Sequence, residues 1–558
     1  MTGTPRGGDG REPDADVARR AAARTGVRAA ALGLTLLTGF SGLVYEVTWQ
    51  KYLATLLGSH AEATATVLAI FLGGLSTGYA LFGRATRRLS ARAQRRARPP
   101  GLLATYGGVE IGIGAWGLLF PWLFGLVQRV SLAVPHASEG LGFLFDVALT
   151  VALLGPPTVL MGATIPMLTL ALSGSVAAST RVHAQVYGLN TAGAFCGALA
   201  AAFFLVPRLG LDGVVIAMGG VNLVAGSAFL VLGRLAPGVA PDLAAPVAGA
   251  PVAPRRFAAF AAVALLSGFA MVTLQTTLNR LGALALGASQ FTFAMVVAVF
   301  VLCIALGSLA VSTLRRIPPG LAAATQWLLV AVLLALYAFL PDATYWAHML
   351  RVSVSSTGGA FVAYQFLVFA GIFLVFALPI GLSGALLPLL FHELRREPGD
   401  LGAVVGRLYS WNTLGSLSGA LLGGYLLLSW LDLHAVYRVA VAALAVGAAL
   451  LTALSLRGTR AYASLALLVP ALGALVLLPA WEPYRLSAGL FREREPTVGT
   501  GEGPRAFFAA RKRAKYLFYE DDPTSSVAVL EAPHRLSQGR VTRQIIVNGK
   551  SDGSLIGD

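Results

Sequence analysis

The sequence predicts an all-α polytopic membrane bundle of two parallel six-helix repeats, followed by a short β-hairpin-rich C-terminal tail. Of its 558 residues, 56% are hydrophobic and 12% are charged, about half the charged share of a soluble domain. Apolar runs long enough to cross ~30 Å of hydrocarbon recur from Ala29 to Ala480. These runs are continuously apolar rather than alternating, which favours helices over barrel strands.

About 12 to 13 transmembrane helices are expected. Membrane repeat 1 covers residues 29–233 and membrane repeat 2 covers residues 257–456, with six spans each, and residues 457–480 form an extra transmembrane segment. The predicted spans are residues 29–50, 63–83, 101–127, 145–171, 183–207, 211–233, 257–281, 291–313, 321–341, 361–391, 404–429, 434–456 and 461–480.

The segments outside the spans are polar. Residues 1–28 are rich in Gly, Pro, Arg and Asp, which predicts a disordered N-terminal tail, and they lack the apolar core and cleavage site of a secretory signal. Residues 234–256 form a linker between the repeats, and residues 481–515 form a basic linker before the tail.

Basic residues orient the bundle. The formal net charge of +16 arises from 42 basic and 26 acidic residues, and basic residues concentrate in alternate loops. These loops contain Arg84, Arg87, Arg88, Arg92, Arg95, Arg96, Arg98, Arg255, Arg256, Arg315 and Arg316. The positive-inside rule makes these loops, the linker 234–256 and the N-terminus cytoplasmic, in a multi-pass protein of the cell (plasma or inner) membrane. The arginines lie in separate loops without interleaved aromatics, so no nucleic-acid partner is expected.

The two repeats can be aligned in two blocks, each of them with a constant spacing. The first block matches at a spacing of 229 positions and the second at a spacing of 222. The first block pairs Leu36, Gly39, Phe40, Thr48, Gly58, Phe71 and Gly78 with Leu265, Gly268, Phe269, Thr277, Gly287, Phe300 and Gly307. The second pairs Pro157, Gly162, Pro166, Tyr187, Asn190, Gly193 and Gly197 with Pro379, Gly384, Pro388, Tyr409, Asn412, Gly415 and Gly419. Chance apolar similarity would not keep polar, Gly and Pro positions in register.

Six spans per repeat place both copies in the membrane in the same direction. Such parallel repeats are typical of the two halves of major-facilitator-type transporters. We expect spans one and seven to face each other across a central cavity, with Thr48 and Thr277 lining it. The G-x-x-x-G spacing of Gly193 and Gly197 predicts close helix packing inside the bundle rather than dimerisation.

Polar residues within the spans are the candidate functional residues, because each must be satisfied in a medium without water. They are Glu46, Glu110, Asn190, Gln275 and Asn412. The repeat pairs Glu46 with Gln275 and Asn190 with Asn412, and a looser alignment pairs Glu110 with Gln326. The second copy therefore keeps hydrogen-bonding capacity but loses charge.

Two interpretations of these residues remain open. In the functional one, Glu46 and Glu110 belong to a cation or proton pathway at the interface of the halves. In the structural one, Glu46 pairs with Lys51 or Gln50, and the asparagines bond neighbouring backbone. The cysteines, Cys196 and Cys303, both fall within apolar runs, so neither a disulfide framework nor a metal site is expected.

The C-terminal tail changes character. Residues 516–519, 526–530 and 543–547 read as short strands within a region, 516–558, that is too small to fold alone.

The sequence resembles the membrane-bound spermidine-synthase-like proteins, in which a major-facilitator-like helical region precedes a polyamine synthase domain. The resemblance rests on TGFSGLVYEVTWQKYLATLLG, PPTVLMGATIP, YGLNTAGAFCG, YLFYEDDPTSSVAVLE and IIVNGKSDGSLIGD. It implies an aminopropyltransferase, with decarboxylated S-adenosylmethionine as co-substrate and a polyamine or other small amine as acceptor. It also implies that residues 516–558 are the N-terminal β-hairpin region of the synthase domain. The implied substrate-binding residues are Asn548, Gly549, Asp552 and Asp558.

Two functions from different classes therefore stay open. The first is a membrane-embedded spermidine-synthase-like protein, catalytically incomplete because the chain stops where the nucleotide-binding core should begin. In that case either the sequence is a fragment of a longer enzyme or a separate chain supplies the core. No cofactor is expected to bind this chain itself. The second is a major-facilitator-like transporter of a small amine or other solute with an accessory tail. Helix parity places that tail outside the cytoplasm, whereas the basic linker favours the cytoplasm.

Overall fold

Helices dominate this computed structural model, with one small sheet near the C-terminus. The structure describes residues 12–57, 60–96, 99–135, 138–173, 175–235, 254–354, 359–395, 400–456, 458–459, 462, 465–497, 499–512, 515–533 and 541–555.

The helices follow the two predicted repeats. The first half contains α1 (Glu12–Leu57), α2 (His60–Arg95), α3 (Leu102–Ala133), α4 (Glu139–Met161), α5 (Thr164–Leu172), α6 (Val176–Ala200) and α7 (Val206–Leu235). The second half contains α8 (Pro254–Leu286), α9 (Gln290–Thr313), α10 (Leu321–Tyr337), α11 (Ala343–Ser353), α12 (Ala360–Gly384), α13 (Leu386–Leu394), α14 (Leu401–Ser418) and α15 (Leu433–Ser455). The C-terminal part contains α16 (Leu468–Leu477), α17 (Pro483–Leu486), α18 (Pro504–Arg511), β1 (Lys515–Asp521), β2 (Ser526–Pro533), β3 (Val541–Val547) and β4 (Lys550–Ser554).

The number of membrane passages agrees with the prediction once broken helices are counted. Nine described stretches are long and apolar enough to cross a membrane, and ten if Leu321–Tyr337 and Leu340–Ser353, bent by 49°, form one span. The 60-residue stretch Val176–Leu235 holds two predicted spans, divided at Gly210, where φ is 68°. With that division and α14, which occupies the predicted eleventh span, the two halves make twelve passages.

The N-terminal prediction is partly wrong. Residues 1–28 were expected to be disordered, but α1 already begins at Glu12, because the Ala- and Arg-rich stretch after it has high helix propensity and continues directly into the first span. Residues 1–11 and most of the linker 234–256 lie outside the described residues.

The repeat is visible in the breaks of the helices. The fourth passage of each half consists of two helices, α4 and α5 or α12 and α13, with the break at Gly162 or Ala385. The fifth passage of each half ends in a π-helical turn, Ala201–Leu205 or Gly419–Gly423. Both halves therefore interrupt the same two passages, although the π-helical turn of the second half begins four positions earlier in the alignment at a spacing of 222.

Glycines allow the first and fifth passages of each half to approach closely. A Cβ atom at Gly39 would collide with the Asn190 carbonyl, and one at the matched Gly268 would collide with the Asn412 carbonyl. Gly193 of α6 likewise lies against the backbone of α1 at Leu36. The G-x-x-x-G spacing thus serves packing inside the bundle, as predicted.

Two helix pairs join the halves. Helix α2 packs along α14, where Ser76 Oγ and Ser410 Oγ lie 3.0 Å apart, and α6 packs along α9, where Ser308 Oγ donates to the Ala184 carbonyl at 3.0 Å. We call the end at which α1 and α8 finish the tail face and the opposite end the N-terminal face. One apolar core lies within each half, and a third, near the N-terminal face, is shared by both.

The chain returns to the tail face after α15. Leu456 lies against Gly320 at the start of α10, and Trp481 Nε1 donates to the Tyr337 carbonyl at 3.2 Å at its end. Because the 17 residues of α10 span about 25 Å, the segment between Leu456 and Trp481, which includes α16, runs the length of that helix. Of the predicted extra transmembrane segment 457–480, the described residues include one helix, α16, whose ten residues are too few to cross a membrane by themselves.

The C-terminal part packs on the second half. Its antiparallel sheet has the order β1-β2-β3-β4; the first three strands are those predicted, and β4 was missed. The Arg280 side chain at the end of α8 donates to the Asp522 and Pro523 carbonyls. The buried Asp521 carboxylate accepts from the Leu433 amide at 3.0 Å and so caps α15. The small sheet is thereby stabilised by the bundle beneath it.

Candidate functional site

Three of the predicted polar residues line one cavity. A cavity of about 130 Å³, which we call the first-half cavity, lies among the helices of the first half. Glu46, Glu110 and Asn190 line it, from α1, α3 and α6 respectively. At about 30 Å³ per water, it has room for roughly four water molecules.

Glu110 is held by neighbouring helices. Its side chain is buried, with one oxygen accepting from the Tyr106 hydroxyl and the other from Asn222 Nδ2 at 2.6 Å. The Tyr106 hydroxyl also lies 3.0 Å from Thr164 Oγ1. Sequence reasoning did not include Tyr106 and Asn222, although Tyr106 lies one helical turn before Glu110, the spacing at which helical side chains meet.

Glu46 differs from Glu110. Its side chain is half-buried and makes no hydrogen bond or ion pair with any residue that the structure describes. The expected pairing with Lys51 or Gln50 is therefore not observed. Gln50, one turn further along α1, lies on the same side of the helix as Glu46.

The matched residues of the second half have different surroundings. Asn412 Nδ2 donates to the Ala264 carbonyl of α8 at 2.9 Å, as the structural interpretation expected. Gln326, the counterpart of Glu110, is buried, and its Nε2 has no partner among the described atoms. Gln275 is half-buried on α8 and does not line the first-half cavity. The two carboxyl groups thus have no charged counterpart in the second half.

A larger cavity lies between the halves. This central cavity, of about 930 Å³, has the size of a small-molecule site and is lined by residues of α1, α6, α8 and α9. Its polar wall consists of Gln50, Lys51, Thr55, Asn279, Ser289 and Thr292. Asn279 Oδ1 is buried without a described hydrogen-bond partner. The residues from the ends of α1 and α8 place the cavity near the tail face.

The predicted lining positions were wrong although the predicted helices were right. Thr48 and Thr277 are buried, and their hydroxyls donate to the carbonyls of Val44 and Thr273 within their own helices. Gln50 and Asn279, two residues further along and also 229 positions apart, line the cavity instead. A shift of two residues along an α-helix rotates the side chain by about 200° around the helix axis. Thr48 and Thr277 therefore lie on the faces of α1 and α8 that point away from the cavity.

The N-terminal face is closed by side chains from both halves. His183 of α6 is buried, with Nδ1 at 3.1 Å from Thr169 Oγ1 and Nε2 at 3.3 Å from the Tyr409 hydroxyl of α14. Closer to this face, Thr180 Oγ1 lies 3.2 Å from His392 Nδ1 of α13. These contacts form a layer, which we call the inner layer, that separates the central cavity from the N-terminal face.

The described residues implied by the synthase resemblance, Asn548, Gly549 and Asp552, line neither the first-half cavity nor the central cavity. Asn548 and Gly549, with φ of 50° and 75°, form the tight turn between β3 and β4. Asn548 Oδ1 accepts from the Ser526 amide at 3.0 Å, and Asp552 makes an ion pair with Lys550 at 3.2 Å. Asp558 lies outside the described residues. Asn-Gly is the strongest short signal for a hairpin turn and would have predicted β4.

This chain is similar to known proteins only at the level of solved structures. No family model matches the chain, and no curated protein matches it. The crystal structure of the human organic anion transporter MFSD10 (TETRAN) is similar at 16% identity, covering 80% of this chain and 98% of that one, with a TM-score of 0.43. The crystal structure of an auto inhibited POT family peptide transporter is similar at 16% identity, covering 85% and 98%, with a TM-score of 0.35. At these values the likeness assigns no substrate to this chain.

The resemblance to membrane-bound spermidine-synthase-like proteins is wrong. No family model and no curated protein of that kind matches this chain, and the two solved structures given above are of transporters. The strings that suggested the resemblance have structural roles here, such as the tight turn at Asn548 and the close packing of Asn190 against Gly39. Assignment to polyamine biosynthesis or aminopropyl transfer is therefore wrong as well, and the chain is a multi-pass membrane protein with a helical bundle of two similar halves.

Proposed function

We propose that this protein is a major-facilitator-like transporter that moves a small polar solute through the central cavity by alternating access. The observation that supports this most is the asymmetry between the two faces. Two matched helices, α1 and α8, line a cavity of about 930 Å³ near the tail face, while the inner layer closes the N-terminal face. Rocking one half against the other would open the second face and close the first.

The wall of the central cavity supports a neutral or anionic solute with hydrogen-bonding groups. Gln50, Asn279 and Ser289 offer amide and hydroxyl groups, and Lys51 brings the one charge among the residues that line it. A positive side chain disfavours a polyamine, the solute that the sequence suggested.

The first-half cavity supports coupling of this transport to protons or a monovalent cation. Glu46 lies one helical turn from Gln50, so a carboxyl group that changes its charge there acts on the wall of the central cavity at close range. Replacing both Glu46 and Glu110 by Gln should abolish accumulation against a gradient but leave exchange intact. Glu531→Gln, in the tail sheet, changes the same charge away from both cavities and is the control.

Transport itself is tested with purified protein in proteoliposomes. Counterflow of labelled organic anions, amino acids, sugars and amines is measured in parallel, with Asn279→Leu as the variant that removes a polar group from the wall. We expect uptake of one neutral or anionic class, reduced at least about tenfold by Asn279→Leu, as expected for the loss of one or two hydrogen bonds. The proposal fails if no class exchanges, and the substrate assignment fails if only amines do.

A further inference from the structure

A second large cavity opens at the tail face next to the central cavity, and Ser289 and Thr292 at the start of α9 line both. This lateral cavity, of about 930 Å³, lies between the end of α8, the start of α9, helices α11 and α12, and the linker that leads to the tail. Its wall combines one charged end with one apolar end.

The charged end presents polar atoms without partners. Arg351 Nε and Gln365 Oε1 are both buried and without a hydrogen-bond partner among the described atoms. The Arg351 guanidinium lies over the Tyr364 ring at 5.6 Å, and Arg494 and Glu495 line the cavity from the linker. A buried polar atom without a partner costs about 1–3 kcal/mol. The end therefore suits a group that accepts from arginine and donates to Gln365 and Glu495.

The apolar end continues onto the lipid-facing surface. Phe291, Met295 and Phe361 line the cavity beside the start of α12. On the next positions of α12, Val362 and Phe366 have 74% and 69% of their surface exposed, as expected for side chains that contact lipid. An acyl chain can thus leave the cavity into the bilayer without crossing a polar surface.

We propose that the lateral cavity binds an acidic phospholipid, with the phosphate between Arg351 and Arg494 and a hydroxyl-bearing headgroup against Gln365. Arginine recognises phosphate oxygens through charge-assisted hydrogen bonds. The ligand bridges α11 and α12 to the linker, so its occupancy ties the tail to the second half.

Native mass spectrometry of the full chain tests this. Delipidated protein is titrated with phosphatidylglycerol, phosphatidylcholine or inorganic phosphate as probes. We expect phosphatidylglycerol to bind at least about tenfold more tightly than phosphatidylcholine, and inorganic phosphate not to displace it. Arg351→Gln and Arg494→Gln should each weaken phosphatidylglycerol binding about tenfold. Arg492→Gln, which changes the same charge in the same linker but does not line the cavity, should leave it unchanged.

Each alternative result overturns a stated part of the proposal. Equal binding of both phospholipids would show that the cavity does not select an acidic headgroup. Full displacement of phosphatidylglycerol by inorganic phosphate would show that the site binds free phosphate rather than a lipid. Arg494 is exposed, so its substitution tests the cavity even if Arg351→Gln does not fold. Unchanged phosphatidylglycerol binding by Arg494→Gln, with Arg492→Gln also unchanged, would place the lipid elsewhere.

Discussion

At the scale of single residues, the physics of a polar group in a membrane bundle explains why Glu110 could be found from sequence and its partners could not. A carboxyl group stands out in an apolar run because each polar group there must be satisfied by protein. Its donors, Tyr106 and Asn222, are 4 and 112 positions away. Asn222 reaches Glu110 only through the packing of α7 on α3, which no local pattern encodes.

Removing the Asn222 donor should destabilise the protein. Asn222→Leu leaves one buried Glu110 oxygen without its hydrogen bond, and we expect a loss of about 1–3 kcal/mol in unfolding free energy. Gln326→Leu is the matched control in the other half, because its buried Nε2 already lacks a described partner, and this variant should be neutral or stabilising. Thermal unfolding in detergent measures both. Equal losses for the two variants would contradict the role of Asn222.

At the scale of helices and strands, periodicity and turn chemistry account for most of what the sequence could predict. Continuous apolar runs gave the spans, and the fixed spacings of 229 and 222 gave the two halves. The start of α1 at Glu12 was missed, because polarity was given more weight than helix propensity. The burial of Asp521 was missed as well, because its partner, the Leu433 amide, lies 88 positions away on another element.

The close approach of α1 to α6 predicts a sharp difference between two glycines of one helix. A Cβ atom at Gly39 would meet the Asn190 carbonyl, whereas one at Gly42 would meet no atom within 4 Å. Gly39→Ala should therefore destabilise the bundle by at least about 1–3 kcal/mol through overpacking. Gly42→Ala should be neutral or slightly stabilising, because alanine favours the helix. Thermal unfolding of the two variants in detergent checks this, and similar melting temperatures would refute the packing argument.

The linker that joins bundle and sheet should loosen in acid. The Tyr484 hydroxyl donates to the Glu482 carboxylate at 2.6 Å, and Arg485 Nε at 2.8 Å; together they hold the pKa of Glu482 below its ordinary value of 4.5. A carboxyl group whose pKa is lowered by folding stabilises the folded form above its ordinary pKa, and this stabilisation is lost as the pH falls through the lowered value. Arg485 also donates to Asp342 at 2.6 Å, so the same residue joins linker and bundle.

Hydrogen exchange of the linker amides measures this acid response. Below pH 4.5, opening of the segment around α17 should increase as the pH falls, after correction for intrinsic exchange. Glu482→Gln removes the titrating group and should flatten that dependence. An unchanged pH profile in Glu482→Gln would show that another group controls the contact between the linker and the bundle.

At the scale of the whole molecule, the contacts divide the protein into two bodies that meet along α2–α14 and α6–α9. The sheet, the linker and α16 pack on α8, α10, α11 and α15, all in the second half. The C-terminal part should therefore move with the second half during transport. The sequence alone could not show this, because the basic linker has no pattern that selects one half over the other.

The inner layer gives the sharpest test of alternating access. Thr180 and His392 lie on different halves near the N-terminal face, with Thr180 Oγ1 3.2 Å from His392 Nδ1. In a chain whose Cys196 and Cys303 are replaced by alanine, Thr180→Cys and His392→Cys together should form a disulfide under oxidation and hold this face closed. Counterflow in proteoliposomes should then fall to background and recover fully on reduction, because both movements of the cycle need the inner layer to part.

Each single cysteine variant should keep transporting after the same oxidation, since it has no partner on the other half. Transport that continues in the oxidised double variant, once gel shift has shown the disulfide to be complete, would mean that the halves do not rock about this layer and that solute takes another route.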